Sequence, residues 1–280
     1  MLKCQFESVV FLQALNHCMS SSNIDSTGGQ IMKNGFHRLM IVLLVLLAVQ
    51  IVLAAEKEEE KGFVPLFPKD GVPTGWMVRA WNDVNQPVDP IVKWNVKDGI
   101  LHGSNQRGTW LVSKRQYSDF ILKYEFKLGE LGNSGCALRA PLFGDPAFDG
   151  MELQMADYRY NPSAKDSELT GGIYRAIAPL KQVYRPTEWN KYEITLKGPR
   201  LRVVLNGQLI HDLSLDEQNQ VVKRHDGSLA PPVKDRPRKG HIGFQELGRG
   251  KVQVQIRKAR IKVLDRPEEP PKKTGTPRAR

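Results

Sequence analysis

Apolar and polar residues alternate with a period of two along most of the chain, most clearly from Asp119 to Lys127. There Phe120, Leu122, Tyr124 and Phe126 alternate with Ile121, Lys123, Glu125 and Lys127. Strand side chains point to opposite faces in turn, so this run predicts a strand with one buried and one mostly wet face. Shorter runs of the same kind predict strands at Ile91 to Asn95, Ile100 to Gly103, Thr109 to Ser113, Trp189 to Leu196, Arg200 to Leu205, Gln208 to Leu213 and His241 to Glu246. Lys97-Asp98-Gly99 reads as a turn, and Asn206-Gly207 is the strongest hairpin signal in the sequence. Val252, Val254 and Ile256 give way to Ala259, Ile261 and Val263, an offset of three where alternation needs two. A β-bulge near Arg257 and Lys258 accounts for that slip. No helical period is sustained, and Leu215 to Val222 has room only for a short turn. Many short strands without intervening helices predict an all-β fold, a sandwich or jelly roll.

The stretch from Asn133 to Asp157 holds two further predicted strands, Ser134 to Ala140 and Gly150 to Met155, joined by a Pro- and Gly-punctuated loop. Gly135, Ala137 and Arg139 fall on one face of the first strand, and Glu152 and Gln154 on one face of the second. In His241 to Glu246 the outward residues are His241, Gly243 and Gln245. Side by side, these strands would present Arg139, Glu152, Gln154, His241 and Gln245 over the small spacers Ala137 and Gly243. Tyr174 in Thr170-Gly171-Gly172-Ile173-Tyr174 is a further candidate, as are Asn133 and Asp157 at the two ends of the stretch. A carboxylate, an imidazole, a guanidinium and two amides supply acid–base groups and fixed donors suited to a sugar. Each has a plain structural alternative: His241 as a packing residue, Glu152 as the partner of Arg139 across the sheet.

The sequence has 280 residues, 40% of them hydrophobic, and a formal net charge of +11. Much of the basic excess sits in Lys223 to Lys239 and Lys272 to Arg280, with no nucleic-acid-binding motif beside it, so no nucleic-acid partner is expected. Lys33, His37 and Arg38 precede the apolar run Leu39 to Ala55, and an acidic-rich Glu56 to Lys61 follows. That order describes a secretory signal peptide at 32–55, cleaved after Ala54 or Ala55, with 56–61 as linker. Met32 is then the natural start, and residues 1–31 an upstream extension that is not translated. Export to the periplasm or medium is expected, with an uncleaved N-terminal anchor as the alternative. Of three cysteines only Cys136 lies beyond the cleavage region, which excludes an internal disulfide in the mature chain. The tail 265–280, rich in proline and charge, reads as disordered. No cofactor motif is present; a calcium ion held by Asp145, Asp149 or Asp157 stays open, because oxygen ligands leave little signature.

Gly62-Phe63-Val64-Pro65-Leu66-Phe67, Gly75-Trp76, Trp94 with Asp98-Gly99, Tyr117-Ser118-Asp119-Phe120, Gly132-Asn133-Ser134-Gly135, Gly150-Met151-Glu152-Leu153-Gln154, Glu188-Trp189-Asn190, Asn206-Gly207 and Gly240-His241-Ile242-Gly243-Phe244-Gln245 occur in order. Together, over 62–264, they resemble the 3-keto-disaccharide hydrolase family. The resemblance implies a concanavalin A-like jelly-roll β-sandwich of two antiparallel sheets and cleavage of glycosidic bonds in sugars oxidised at C3. One departure stands out: where many relatives read Asp-His-Gly after the glutamine, this chain has Glu246-Leu247-Gly248.

Direct displacement at C1 needs two carboxylates flanking the bond. Here one face of the strand offers Glu152, Gln154 and Ala156, with a single carboxylate. A 3-keto sugar escapes that requirement, because its ketone acidifies the C2 proton and the C1 substituent can leave by elimination, with water adding afterwards. On this reading Glu152 and His241 share the acid and base roles, Arg139 and Gln154 hold the enolate, and Tyr174 and Gln245 bind the sugar. The alternatives are a non-catalytic lectin-like glycan-binding domain and a tethered interaction module.

Overall fold

A computed structural model describes residues 40–51 and 60–264. The proposed upstream extension 1–31, the cleavage positions Ala54 and Ala55 and the tail 265–280 lie outside the described residues. The chain divides into two compact units, Met1–Lys61 and Gly62–Arg280. In the first, residues 40–51 are helical. Among the described residues, no helix is long and apolar enough to cross a membrane.

The second unit is a sandwich of two antiparallel sheets. The larger, eight-stranded sheet runs β11 (Gln208–Ser214), β10 (Arg200–Leu205), β9 (Asn190–Lys197), β6 (Phe120–Lys127), β15 (Gln255–Val263), β4 (Ile100–His102) and β3 (Asn95–Lys97), with β1 (Val64–Pro65) also pairing β15. The other is five-stranded, in the order β2 (Trp76–Ala80), β5 (Thr109–Tyr117), β14 (Gly240–Glu246), β7 (Asn133–Ala140) and β8 (Met151–Ala156). A two-stranded hairpin, β12 (Val222–Lys223) and β13 (Leu229–Ala230), stands apart.

The apolar half of each alternating strand fills the space between the sheets. Phe120, Leu122, Tyr124 and Phe126 from β6 and Tyr192, Ile194 and Leu196 from β9 join Cys136 and Leu138 from β7, Met151, Leu153 and Met155 from β8, and Ile242 and Phe244 from β14 in one buried cluster. The rings of Tyr124 and Phe244 meet edge to face across the sandwich, 5.3 Å apart. Asn206 and Gly207 take φ of 52° and 78°, the left-handed pair that a tight two-residue hairpin requires. The register of β15 against β6 shifts between Arg257 and Arg260, and Lys258 has φ 53°, so the bulge sits where the broken alternation put it.

One predicted strand is corrected. Pairing begins only at Asn95, and Ile91 to Trp94 are not strand: Val92 instead donates to the Asp89 carbonyl in a turn, leaving Ile91 71% exposed. Val92, Trp94 and Val96 keep the strand-like burial that made the segment look paired.

Candidate functional site

The outer face of the five-stranded sheet forms the floor of the site. Ala137 of β7 pairs with Glu152 of β8 on one side and Gly243 of β14 on the other, while Gly135 pairs with Gln154. Glu152, Gln154 and Gln245 therefore share one face around the small residues Gly135, Ala137 and Gly243. At Gly135 shape favours the smallest residue: a Cβ there would collide with Oε1 of Glu152, so the glycine lets the Glu152 carboxylate lie over β7. Loops raise walls on this floor and enclose a cavity of about 300 Å³. Its lining includes Asn133, Asp145, Glu152, Gln154, Asp157, Tyr174, His225 and Gln245, with Trp81, Arg107 and Arg249 around them.

Glu152 is 2% exposed, and among the described residues its Oε1 finds no hydrogen-bond partner. Burial, reinforced by the neighbouring Asp145 carboxylate, pushes its carboxyl well above the usual range. Asp145 is itself raised, to about 6, by burial and by Asp149, against the pull of the Ala147 amide that donates to its Oδ1 at 3.0 Å. Burial also raises the Tyr174 phenol, which therefore stays protonated at neutral pH, although Arg175 works the other way. His225 is an exposed residue at the rim; partial burial of its ring together with Arg175 lowers its pKa, so its imidazole is neutral at neutral pH. Its ring lies 5.3 Å from Phe148, 5.7 Å from Trp81 and 5.8 Å from Tyr174, forming an aromatic wall. Gln154 accepts the Met155 amide on Oε1 at 3.0 Å, which turns its NH2 group away from that bond.

The remaining carboxylates of the cavity are engaged. Asp157 is fully buried; that burial opposes its charge, but the Arg159 guanidinium, bound at 2.7 and 2.9 Å, outweighs it and holds the carboxyl below its ordinary value. Glu168 accepts from Arg175 at 2.9 Å, and Asp149, just outside, takes Arg224 through both oxygens at 2.6 and 2.8 Å. Among the described residues no group of three or more His, Cys, Asp or Glu is placed to hold a metal ion.

Of the residues expected from the sequence, Glu152, Gln154, Tyr174, Gln245, Asn133 and Asp157 come together here, whereas Arg139 and His241 do not. Between His241 and Gly243 of β14, β7 uses the extra residue of a bulge, and Arg139 takes φ 52° at that bulge. Its guanidinium is thereby sent to the Ser118 and Gly198 carbonyls, at 2.6 and 2.9 Å, and to Asp119 at 3.0 Å. Arg139 thus braces the sandwich instead of clamping an enolate, and Asp119 replaces Glu152 as its partner. His241 is occupied in the same way. Nδ1 donates to the Ser113 carbonyl at 2.7 Å, which leaves Nε2 to accept from the Gln116 amide at 3.2 Å. Sequence reasoning considered Asp145 only as a calcium ligand and passed over His225, Arg107, Arg175 and Arg249; all five lie on loops where no periodicity marks a face.

Comparison of structures finds a protein of Parabacteroides distasonis, provisionally named as a glycosyl hydrolase, at 26% identity and TM-score 0.58, covering 72% of this chain and 99% of that one. A second provisionally named glycosyl hydrolase from the same organism matches at 25% identity and TM-score 0.55, covering 75% of this chain and 97% of its own. No curated protein matches the sequence. The model of the 3-keto-alpha-glucoside-1,2-lyase-like domain matches residues 62–262, the β-sandwich that carries Glu152 and its cavity, and the chain belongs to that family.

Proposed function

We propose that the protein is an exported carbohydrate-active enzyme that cleaves 3-keto glycosides by elimination followed by hydration. The observation that carries this reading is Glu152, a buried carboxylate with an unpartnered oxygen on the floor of the cavity, where the other carboxylates are already held by arginines or a backbone amide. A lone base with a raised pKa is poorly placed for displacement at C1 but suits removal of a proton from carbon.

In this mechanism Glu152 takes the C2 proton, and the C2–H electron pair forms an enolate onto the C3 oxygen. The amide NH2 groups of Gln154 and Gln245 stabilise that oxygen as its charge develops. The enolate collapses to a C1=C2 double bond, and the C1–O bond breaks with its electron pair on the aglycone oxygen, which water protonates. The hydroxide so formed adds at C1, Glu152, whose proton has exchanged with solvent, delivers a proton to C2, and the products are the 3-keto sugar and free aglycone. Tyr174 contributes a protonated hydroxyl and, with Trp81 and His225, an aromatic wall for the sugar ring.

The test incubates the protein with 3-keto glucosides and their unoxidised parents in deuterated water. Aglycone release from the keto sugars alone, with deuterium entering at C2, is expected. Glu152→Gln should lower turnover by roughly 10²- to 10⁴-fold while leaving binding within a few-fold. Equal release from the unoxidised parents, or full activity in Glu152→Gln, would sink the mechanism.

A further inference from the structure

Three arginines line the cavity, and they differ in what balances them. Arg175 is paired with Glu168 at 2.9 Å. Arg107 and Arg249 have no carboxylate partner within salt-bridge distance among the described residues, yet both are held against one ring. Arg107 donates to the Tyr160 hydroxyl at 3.0 Å and to the Leu247 carbonyl at 2.9 Å, while the Arg249 guanidinium sits 4.5 Å from the Tyr160 ring centroid. Glu246 lies within the field of Arg107, but its two oxygens are taken by the Gly248 and Val254 amides at 3.0 and 2.8 Å. Asp157, the other acid on this side, is bound by Arg159, which also reaches Glu130 at 2.8 Å. Two like charges are thus gathered at one edge of the cavity with, among the described residues, no carboxylate in contact with either, an arrangement that an incoming anion would relieve.

Asn133 lines the same edge. It is 8% exposed, and among the described residues its Oδ1 has no hydrogen-bond partner. An orphaned buried acceptor beside two unbalanced guanidiniums calls for a ligand that carries both a hydroxyl donor and an anionic group.

We propose that Arg107 and Arg249, with Asn133, form a subsite for an anionic substituent on the leaving group, so that the preferred substrate is a glycoside whose aglycone bears a carboxylate or sulfate. The proposal names the aglycone class of the reaction proposed above and rests on that reading for its place in catalysis. The Arg107 fork is fixed by two hydrogen bonds and favours a planar carboxylate, whereas Arg249, held among the described residues by stacking, adapts to either shape.

Binding of phenyl, 4-carboxyphenyl and 4-sulfophenyl 3-keto-glucosides to the Glu152→Gln protein is measured by calorimetry at low and high salt, and turnover is followed in parallel in the protein with Glu152 intact. The anionic glycosides are expected to bind about tenfold or more tightly than the phenyl glycoside at low salt. That preference, taken each time relative to the phenyl glycoside, should shrink with salt, fall in Arg107→Ala and in Arg249→Ala, and vanish in the double substitution. A carboxylate advantage over sulfonate that depends on Arg107 identifies a uronate-like aglycone, and the reverse order a sulfated one. Equal affinity for neutral and anionic glycosides, a preference that survives the double substitution, or no binding of any of the three overturns the subsite. If the anionic preference is found but none of the glycosides is turned over, the elimination reading fails and the subsite stands.

Discussion

At the scale of single residues, Asp145 is raised by burial and by Asp149, and it in turn adds to the burial that raises Glu152. Asp145 has its folded pKa raised from 3.8 to about 6, so between those values the folded state holds more protons than the unfolded chain. The stability that this protonation supplies is complete below pH 3.8 and is lost as pH rises through about 6. Asp145→Asn keeps an acceptor for the Ala147 amide but carries no charge. It should therefore be more stable than the parent at pH 8, by roughly 1 to 3 kcal/mol, with the gap closing toward pH 4. Thermal melts across that range check the sign. The same substitution removes the carboxylate that helps hold the Glu152 pKa up, so the acid limb of the pH–rate profile should move to lower pH. A limb that stays in place would mean that Glu152 is not the base that it reports.

At the scale of elements, the strands that follow strict alternation were legible and those that break it were not. Glu152, Gln154 and Gln245 could be placed on one face because β8 and the end of β14 keep period two, and the broken alternation near Arg257 gave the bulge in β15 away. The bulge in β7 left no such trace, since Ala137 and Ala140 fit either phase and a left-handed arginine has no sequence signature. Arg139 therefore looked like a site residue when its guanidinium is buried among the Ser118 and Gly198 carbonyls and Asp119. The expected consequence is a split between stability and chemistry. Arg139→Ala removes the donors of two partly buried carbonyls and breaks a pair whose arginine is fully buried, which should cost about 3 kcal/mol. Folded Arg139→Ala protein, assayed well below its melting temperature, should retain the parent kcat. A large fall in kcat without loss of stability would return the arginine to the site.

At the scale of the whole molecule, the sandwich could be read from the chain because its core is built of repeated short strands, whereas the cavity is walled by loops whose paths only the folded sheets decide. Asp145, His225, Arg107 and Arg249 reach one cavity from segments far apart in sequence, and nothing in their spacing foretold it. The proposal of export is independent of the cavity and rests on the apolar run after Lys33, His37 and Arg38. It predicts that protein recovered from the periplasm or medium begins at Ala55 or Glu56, by intact mass and N-terminal sequencing. Such a chain keeps only Cys136, which is fully buried and whose thiol burial pushes up to about 12. The native exported protein should accordingly show no thiol reactive toward a disulfide reagent at pH 8, and one after denaturation. An N-terminus upstream of Leu39 on protein that fractionates with membranes would instead favour the tethered form, and more than one thiol in the denatured exported chain would place its start before Cys18.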